Sequence, residues 1–291
     1  MAEIIDGKAI AAEVRSEVAG RVAELGRQGV SVRLDVILVG EGPASVTYVR
    51  NKENDCAEVG IESRVHRFPE DASQEDLERL VEELNAAEEV SGFFVQLPLP
   101  DHIDQNRLLS GISPDKDVDG LVPLSSGRLA LGLPALLPCT PHGVLQLLKR
   151  SGVGIEGRRA AVLGRSNLVG KPAAQLLLRE NATVTICHSR TRDLAEVTSQ
   201  ADILVVAAGK RGVVGADHVK EGAVVVDVGI HRTEEGGLTG DVDFEAVEPK
   251  ASAITPVPGG VGPMTIACLL ANTLTATARS HGLPDPDGLT P

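Results

Sequence analysis

Ala160-Ala161-Val162-Leu163-Gly164-Arg165-Ser166-Asn167-Leu168-Val169-Gly170-Lys171-Pro172 runs from an apolar strand through a turn into a helix. Pro172 suits the first helical turn, because its missing N–H would have no intrahelical partner there. A junction of this kind offers free backbone N–H groups and the positive end of a helix to a phosphate. Gly164 permits the tight turn, and Gly170 permits close approach of backbone. The spacing departs from G-x-G-x-x-G, since Ser166 stands where the middle glycine belongs, and in isolation the run reads equally well as a structural turn.

The neighbouring segments decide between those readings. Apolar runs at Arg159–Leu163, Thr183–Cys187, Ile203–Ala207, Val224–Val228 and Ala253–Ile254 alternate with helical or turn sequence, which predicts a parallel, doubly wound sheet. In NAD sites the second strand ends in a carboxylate that binds the ribose hydroxyls. Here it ends Cys187-His188-Ser189-Arg190-Thr191, and a hydroxyl with a guanidinium suits a 2′-phosphate, so NADP is the expected cofactor. Arg165 can approach the same phosphate from the other side; the alternative for 189–192, a solvated polar turn, is the less favoured of the two. Two further strand ends, Ala207-Ala208-Gly209-Lys210 and Asp227-Val228-Gly229-Ile230, are small where a flat cofactor would lie. The stiff loop Thr255-Pro256-Val257-Pro258-Gly259-Gly260-Val261-Gly262-Pro263-Met264-Thr265 precedes a helix at the carboxyl end of the sheet, where ligands bind.

The N-terminal half alternates in the same way. Helices are expected at 7–28, 45–59 and 73–86, and strands at 33–39, 61–68 and 91–97, with Gly60 as a helix cap. The stretch 110–140 breaks the rhythm with Ser113-Pro114-Asp115-Lys116-Asp117-Val118-Asp119-Gly120 and Gly/Pro-rich sequence, and the domain junction is placed there. A helix over 264–279 is expected to return to the first domain. The expected division is therefore α/β in two lobes: 1–138 plus 266–283 as a substrate domain, 139–265 as a Rossmann-like nucleotide domain, an active-site cleft between them, and 284–291 as a disordered tail.

Composition bounds the function. With 42% hydrophobic and 24% charged residues, only 2% aromatic and no Trp, the core must be built from aliphatic side chains, as buried parallel strands are. A net charge of −13, from 41 acidic and 28 basic residues, argues against a nucleic-acid partner. Cysteines 56, 139, 187 and 268 have neither metal-ligand nor disulfide spacing, so no metal is expected and a reducing cytoplasm fits. No apolar stretch is read as membrane-spanning, and the N-terminus shows no signal pattern.

Ser45-Val46-Thr47-Tyr48-Val49-Arg50-Asn51-Lys52 places Tyr48 and Lys52 four apart, with Ser45 one turn earlier, on one face of the second helix. A phenol within reach of an amine is equipment for general acid–base chemistry, although an ordinary amphipathic helix shows the same spacing.

These motifs together resemble bifunctional methylenetetrahydrofolate dehydrogenase/methenyltetrahydrofolate cyclohydrolase, the FolD type. The resemblance runs from about Ile4 to Arg279. It is carried by Val39-Gly40 through Tyr48, Lys52 and Gly60-Ile61, by Val95-Gln96-Leu97-Pro98-Leu99-Pro100, by Pro114 to Gly120, by Gly164 to Pro172 and by Pro256 to Thr265. It implies that methylenetetrahydrofolate gives a hydride to NADP+, and that water then opens the methenyl cation to 10-formyltetrahydrofolate. It also implies roles: Lys52 as acid/base, with Tyr48 beside it and Gln96 hydrogen-bonded nearby, Asp119 gripping the pterin, and Ser45, Pro258 and Gly259 lining the folate pocket. Gly164, Arg165, Ser166, His188, Ser189, Gly209, Gly229, Ile230 and Thr265 match cofactor contacts, and a homodimer through the cofactor domain is the family's usual state.

A carboxylate can accept two hydrogen bonds from the donor edge of a pterin, but spacing alone does not choose between Asp115, Asp117 and Asp119. A cationic intermediate disfavours a second positive charge beside it, which leaves a neighbouring amine free to take a proton from water. A shikimate-type NADP dehydrogenase would explain the two lobes but not Gln96–Pro100 or Pro256–Thr265. A non-enzymatic nucleotide-binding scaffold would explain neither Lys52 nor Asp119.

Overall fold

The computed structural model describes residues 2–290, and the chain divides into two compact units. One comprises residues up to Ala12 together with Thr140–Thr265; the other comprises Glu13–Cys139 and Ile266 onward. In chain order the elements are β1 (Glu3–Ile4), α1 (Gly7–Arg27), β2 (Arg33–Val39), α2 (Pro43–Val59), β3 (Glu62–Phe68), α3 (Gln74–Ala86), β4 (Gly92–Val95), α4 (Gln105–Ser110), α5 (Pro123–Ala130) and α6 (Cys139–Arg150). There follow β5 (Arg159–Leu163), α7 (Gly170–Arg179), β6 (Thr183–Cys187), α8 (Leu194–Thr198), β7 (Ile203–Val206), β8 (Val224–Asp227), β9 (His231–Arg232), β10 (Leu238–Thr239), α9 (Phe244–Val247), β11 (Ala253–Ile254) and α10 (Val261–Ser280).

In the unit built on Glu13–Cys139, a three-stranded parallel sheet runs β3-β2-β4. Every residue of β2 is buried, as a central strand covered on both faces requires. Leu77, Val81 and Leu84 of α3 share one face and pack with Ile37, Phe93 and Leu108. Helix α2 begins at Pro43, two residues earlier than its sequence suggests, since proline is tolerated in a first turn. It ends at Gly60, whose φ of 80° is left-handed and whose N–H reaches Ala57 O. The loop after α4 adds to the sheet edge: Phe93 N donates to Lys116 O at 3.0 Å.

The other unit holds a six-stranded sheet in the order β1-β11-β8-β7-β5-β6, parallel throughout. Chain order reverses at β5, with β6 on one side and β7 on the other. That switch point, at the carboxyl ends of the strands, is where doubly wound sheets bind ligands. Residues 3–4 pair with β11, so the segment up to Ala12 belongs to this sheet and not to the substrate domain in which the sequence reading placed it.

Two other expectations are corrected. Residues 284–290 do not form a loose tail: Leu289 is buried, and Asp285 forms a two-point ion pair with Arg279 at 2.7 and 2.8 Å. Residue 291 lies outside the described residues. Among the described residues one segment is, after all, long and apolar enough to cross a membrane: α10, with a mean hydropathy of 1.3. It is a core helix, 78% buried over that window, and its Thr273, Thr275 and Thr277 hydroxyls donate to carbonyls four residues back.

Candidate functional site

Lys52 stands on α2, half-buried, with Nζ donating to Gln96 Oε1 at 3.3 Å and lying 4.0 Å from the centroid of the Phe94 ring. Strand β4 supplies both contacts, because Phe94 lies on it and Gln96 follows its last residue. Gln96 is itself fixed, its N–H bonded to Ile37 O and its Nε2 donating to Leu97 O at 2.7 Å, just before the cis peptide Leu97-Pro98. An amine held by one acceptor and one aromatic face is positioned without being neutralised by a carboxylate. Tyr48 is 54% exposed, and Lys52 takes Gln96, not Tyr48, as its hydrogen-bond partner. Ser45, one turn earlier, is half-buried.

The three aspartates of the 113–120 loop have separate fates. Asp115 is exposed and paired with Arg128 at 3.1 Å. Asp117 is buried, and its two oxygens accept the N–H groups of Leu121 and Val122 at 3.2 and 3.0 Å. Burial pushes its carboxyl upward, and those backbone donors pull the other way. Asp119 remains half-buried, and its side-chain neighbour is the Cys139 thiol instead of a cation or a backbone N–H. Its charge reaches the buried Cys139 thiol, which is held well above its ordinary value by burial first and Asp119 second, with Lys52 opposing. Lys52 and Asp119 therefore act electrostatically on the same thiol. The loop is clamped from α10, where Asn272 Nδ2 donates to Val118 O at 2.8 Å and Leu137 O at 2.7 Å.

At the switch point of the larger sheet a cavity of about 420 Å³ is lined by Gly164, Arg165, Ser166, His188, Ser189 and Lys210, among others. Gly164 has a φ of 133°, and a Cβ there would overlap Ala207 O; a Cβ on Gly170 would overlap Gly164 O. Both glycines are thus demanded by backbone packing, as the sequence suggested. Ser166 Oγ accepts the N–H of Val169 at 3.1 Å at the entrance to α7. After β6, Thr191 Oγ1 accepts the N–H of His188, and His188 Nδ1 accepts that of Arg190, which shapes the turn that presents Ser189. Two cationic side chains, two serine hydroxyls and a helix N-terminus form a donor set suited to an anionic dinucleotide. Lys210, named in the sequence only as part of a small strand end, belongs to this set.

Gly229, Ile230, Pro258 and Gly259 line a second, mostly apolar groove of about 200 Å³ in the same unit, together with Lys8 and Asp227. Thr265 Oγ1 bonds Thr140 Oγ1 at 3.0 Å, and Gly209 sits in the left-handed region at φ 65°. Among the described residues, no group of three or more His, Cys, Asp or Glu gathers as a metal site.

The fold and these two sites define a two-unit α/β protein with a nucleotide-binding sheet. Comparison with known proteins gives the family. Residues 138–281 match the model of the tetrahydrofolate dehydrogenase/cyclohydrolase NAD(P)-binding domain, and 5–119 match that of its catalytic domain. Bifunctional protein FolD 1 of Rubrobacter xylanophilus is 71% identical over 276 residues, covering 95% of this chain and 97% of that one. The crystal structure of FolD from Campylobacter jejuni superposes with a TM-score of 0.94 at 48% identity, covering 96% and 99% of the two chains. The Trypanosoma brucei enzyme, solved with NADP cofactor and inhibitor, gives 0.90 at 43% identity, covering 96% and 98%. This chain belongs to the tetrahydrofolate dehydrogenase/cyclohydrolase family.

Proposed function

We infer that this chain catalyses both reactions of its family. It oxidises 5,10-methylenetetrahydrofolate to the 5,10-methenyl cation with NADP+, then hydrolyses that cation to 10-formyltetrahydrofolate. NADP+, when bound, supplies the hydride acceptor. The observation that carries the reading is the Lys52 amine fixed by Gln96 over the Phe94 face. Lys52 takes a proton from the water that attacks the methenyl carbon, and Gln96 holds Nζ in register for that transfer. Tyr48, exposed on the same helix, and half-buried Ser45 border the folate. Asp119 accepts hydrogen bonds from the pterin edge, the task for which Asp115 and Asp117 are already spoken for. Hydride transfer needs no base from the protein, only the donor carbon held against the nicotinamide, so positioning dominates that step.

Arg165, Ser189 and Lys210 bind the cofactor's phosphates, with Ser166 and the α7 N-terminus beside them. Gly209, Gly229, Ile230 and Thr265 complete the cofactor contacts, while Pro258 and Gly259 approach the folate. The folate is the small-molecule partner, and the chain works as a homodimer through its nucleotide unit. Strand β6 supports that assembly: it is the sheet's edge, mostly exposed, with Ile186 at 44%. Four cysteines without disulfides suit a cytoplasmic enzyme, the acidic balance disfavours nucleic acid, and α10 is spent as a core helix instead of a membrane span. One assay tests the reading: NADPH must form with methylenetetrahydrofolate and not with shikimate, and methenyltetrahydrofolate must disappear without NADP+. Absence of both activities in folded protein would refute it.

A further inference from the structure

Behind the cofactor cavity lies a pair of buried carboxylates to which none of the roles above has been given. Asp241 is fully buried; its Oδ2 accepts the N–H groups of Ala208 at 2.7 Å and Gly209 at 2.8 Å, and its Oδ1 bonds His231 Nε2 at 2.7 Å. Asp227, 4% exposed, accepts the N–H groups of Gly229, Asp241 and Val242 at 2.9–3.0 Å. The chain makes room for both. A Cβ on Gly229 would come within 2.5 Å of Asp241 Cγ, and one on Gly240 would overlap Asp227 Oδ2. Burying two carboxylates side by side is costly, and backbone N–H groups offset that cost only if every oxygen is used. Here one of those oxygens, Asp241 Oδ2, is spent wholly on one particular turn.

That turn is the exit of β7 at the switch point. Ala207, Ala208 and Lys210 line the cofactor cavity, and the two N–H groups that Asp241 holds lie between Ala207 and Lys210. We propose that Asp241 is a positioning residue for the dinucleotide: through Ala208 and Gly209 it fixes the β7 exit and sets where Lys210 stands in the cavity. Asp227 orients Asp241 through the Asp241 and Val242 N–H groups, and His231 holds its second oxygen. The proposal rests on the reading of this cavity as the NADP site.

The test uses the full-length enzyme with Asp241→Ala, Asp241→Asn and His231→Leu, measuring KM for NADP+, kcat for hydride transfer, and methenyl hydrolysis. Loss of charge-assisted hydrogen bonds to the turn should raise the NADP+ KM of Asp241→Ala about tenfold. Methenyl hydrolysis, which uses no NADP+, should stay within about twofold, a split that a general loss of structure would not produce. Asn keeps an oxygen for both N–H groups, and the other His231 tautomer can accept from its amide, so Asp241→Asn should recover to within about threefold. A wild-type NADP+ KM in Asp241→Ala, or hydrolysis falling in step with hydride transfer in both Asp241 variants, overturns the proposal. If Asp241→Ala does not fold, His231→Leu decides: a raised NADP+ KM at unchanged hydrolysis supports it, and an unchanged KM overturns it. Wild-type protein that binds no NADP+ by calorimetry overturns the cavity reading and the proposal with it, whereas an unaffected Asp241→Ala overturns the proposal alone.

Discussion

Replacing Lys52 with Met separates the two chemistries. Met keeps an unbranched apolar stem of similar length beside Phe94's position, and loses the Nζ bond to Gln96 and the cation over the Phe94 ring. Those losses amount to about 1–2 kcal/mol at most, since the amine is only half-buried. A domain of ordinary stability, about 5–15 kcal/mol, survives that. Removing a general base costs roughly 10²–10⁴ in rate, or about 3–5 kcal/mol of barrier. Methenyl hydrolysis should therefore fall by about that factor, while NADPH formation from methylenetetrahydrofolate stays within about tenfold. Both rates can be followed by absorbance on one preparation, with thermal unfolding as the control for fold. Equal loss of both activities at unchanged folate affinity would refute a dedicated proton-transfer role for Lys52.

Ser189→Asp places a carboxylate in the phosphate cavity and should raise the NADP+ KM by about tenfold or more through repulsion; an unchanged KM means the 2′-phosphate lies elsewhere. Asp117→Ala strands the Leu121 and Val122 N–H groups and should lower unfolding stability by about 2–4 kcal/mol, whereas Asp119→Asn should leave stability within about 0.5 kcal/mol. Asp119→Asn should instead raise the folate KM about tenfold or more in both activities; a stability loss confined to it would reverse the assignment. Asp227 is pushed up to about 6, chiefly by burial, from an ordinary 3.8. Between those values the folded state binds the proton more tightly than the unfolded one, so this group's contribution to stability falls as pH rises from about 4 to 6 and is flat above. The span amounts to about 3 kcal/mol. In urea titrations the stability of wild type relative to Asp227→Asn should therefore be greater at pH 5 than at pH 7, and a difference that grows with pH would contradict the account.

How far the sequence could be read depended on what kind of information each feature needs. Strands β5, β7 and β8 are apolar runs followed within two residues by Gly or Ala, and burial in a parallel sheet leaves that mark on nearly every residue, so their positions were legible; the exposed edge strand β6 shows only Val184 and Ile186 alternating with threonines. The switch-point turn was legible because Gly164 and Gly170 are there to let backbone atoms approach, a constraint local to the motif. Helix α5 was missed, because Pro123–Ala130 is short and only Ser125 and Leu129 are buried, too few to set a period. Leu289 was missed likewise, a single buried anchor in a stretch otherwise polar or Pro-rich.

Carboxylates are the harder case, and the reason is general. Asp115, Asp117 and Asp119 have the same chemistry at the same spacing. Their roles differ because Arg128 faces one, the Leu121 and Val122 N–H groups face another, and Cys139 lies beside the third. The same holds for Asp227 and Asp241, where the sequence displays Gly229 and Gly240 without showing which side chains they admit. An apolar residue needs only to be out of water, and periodicity records that. A carboxylate needs particular donors, and the partners that set Asp119 apart from Asp115 and Asp117, or tie Asp241 to the β7 exit, are brought together only by the fold.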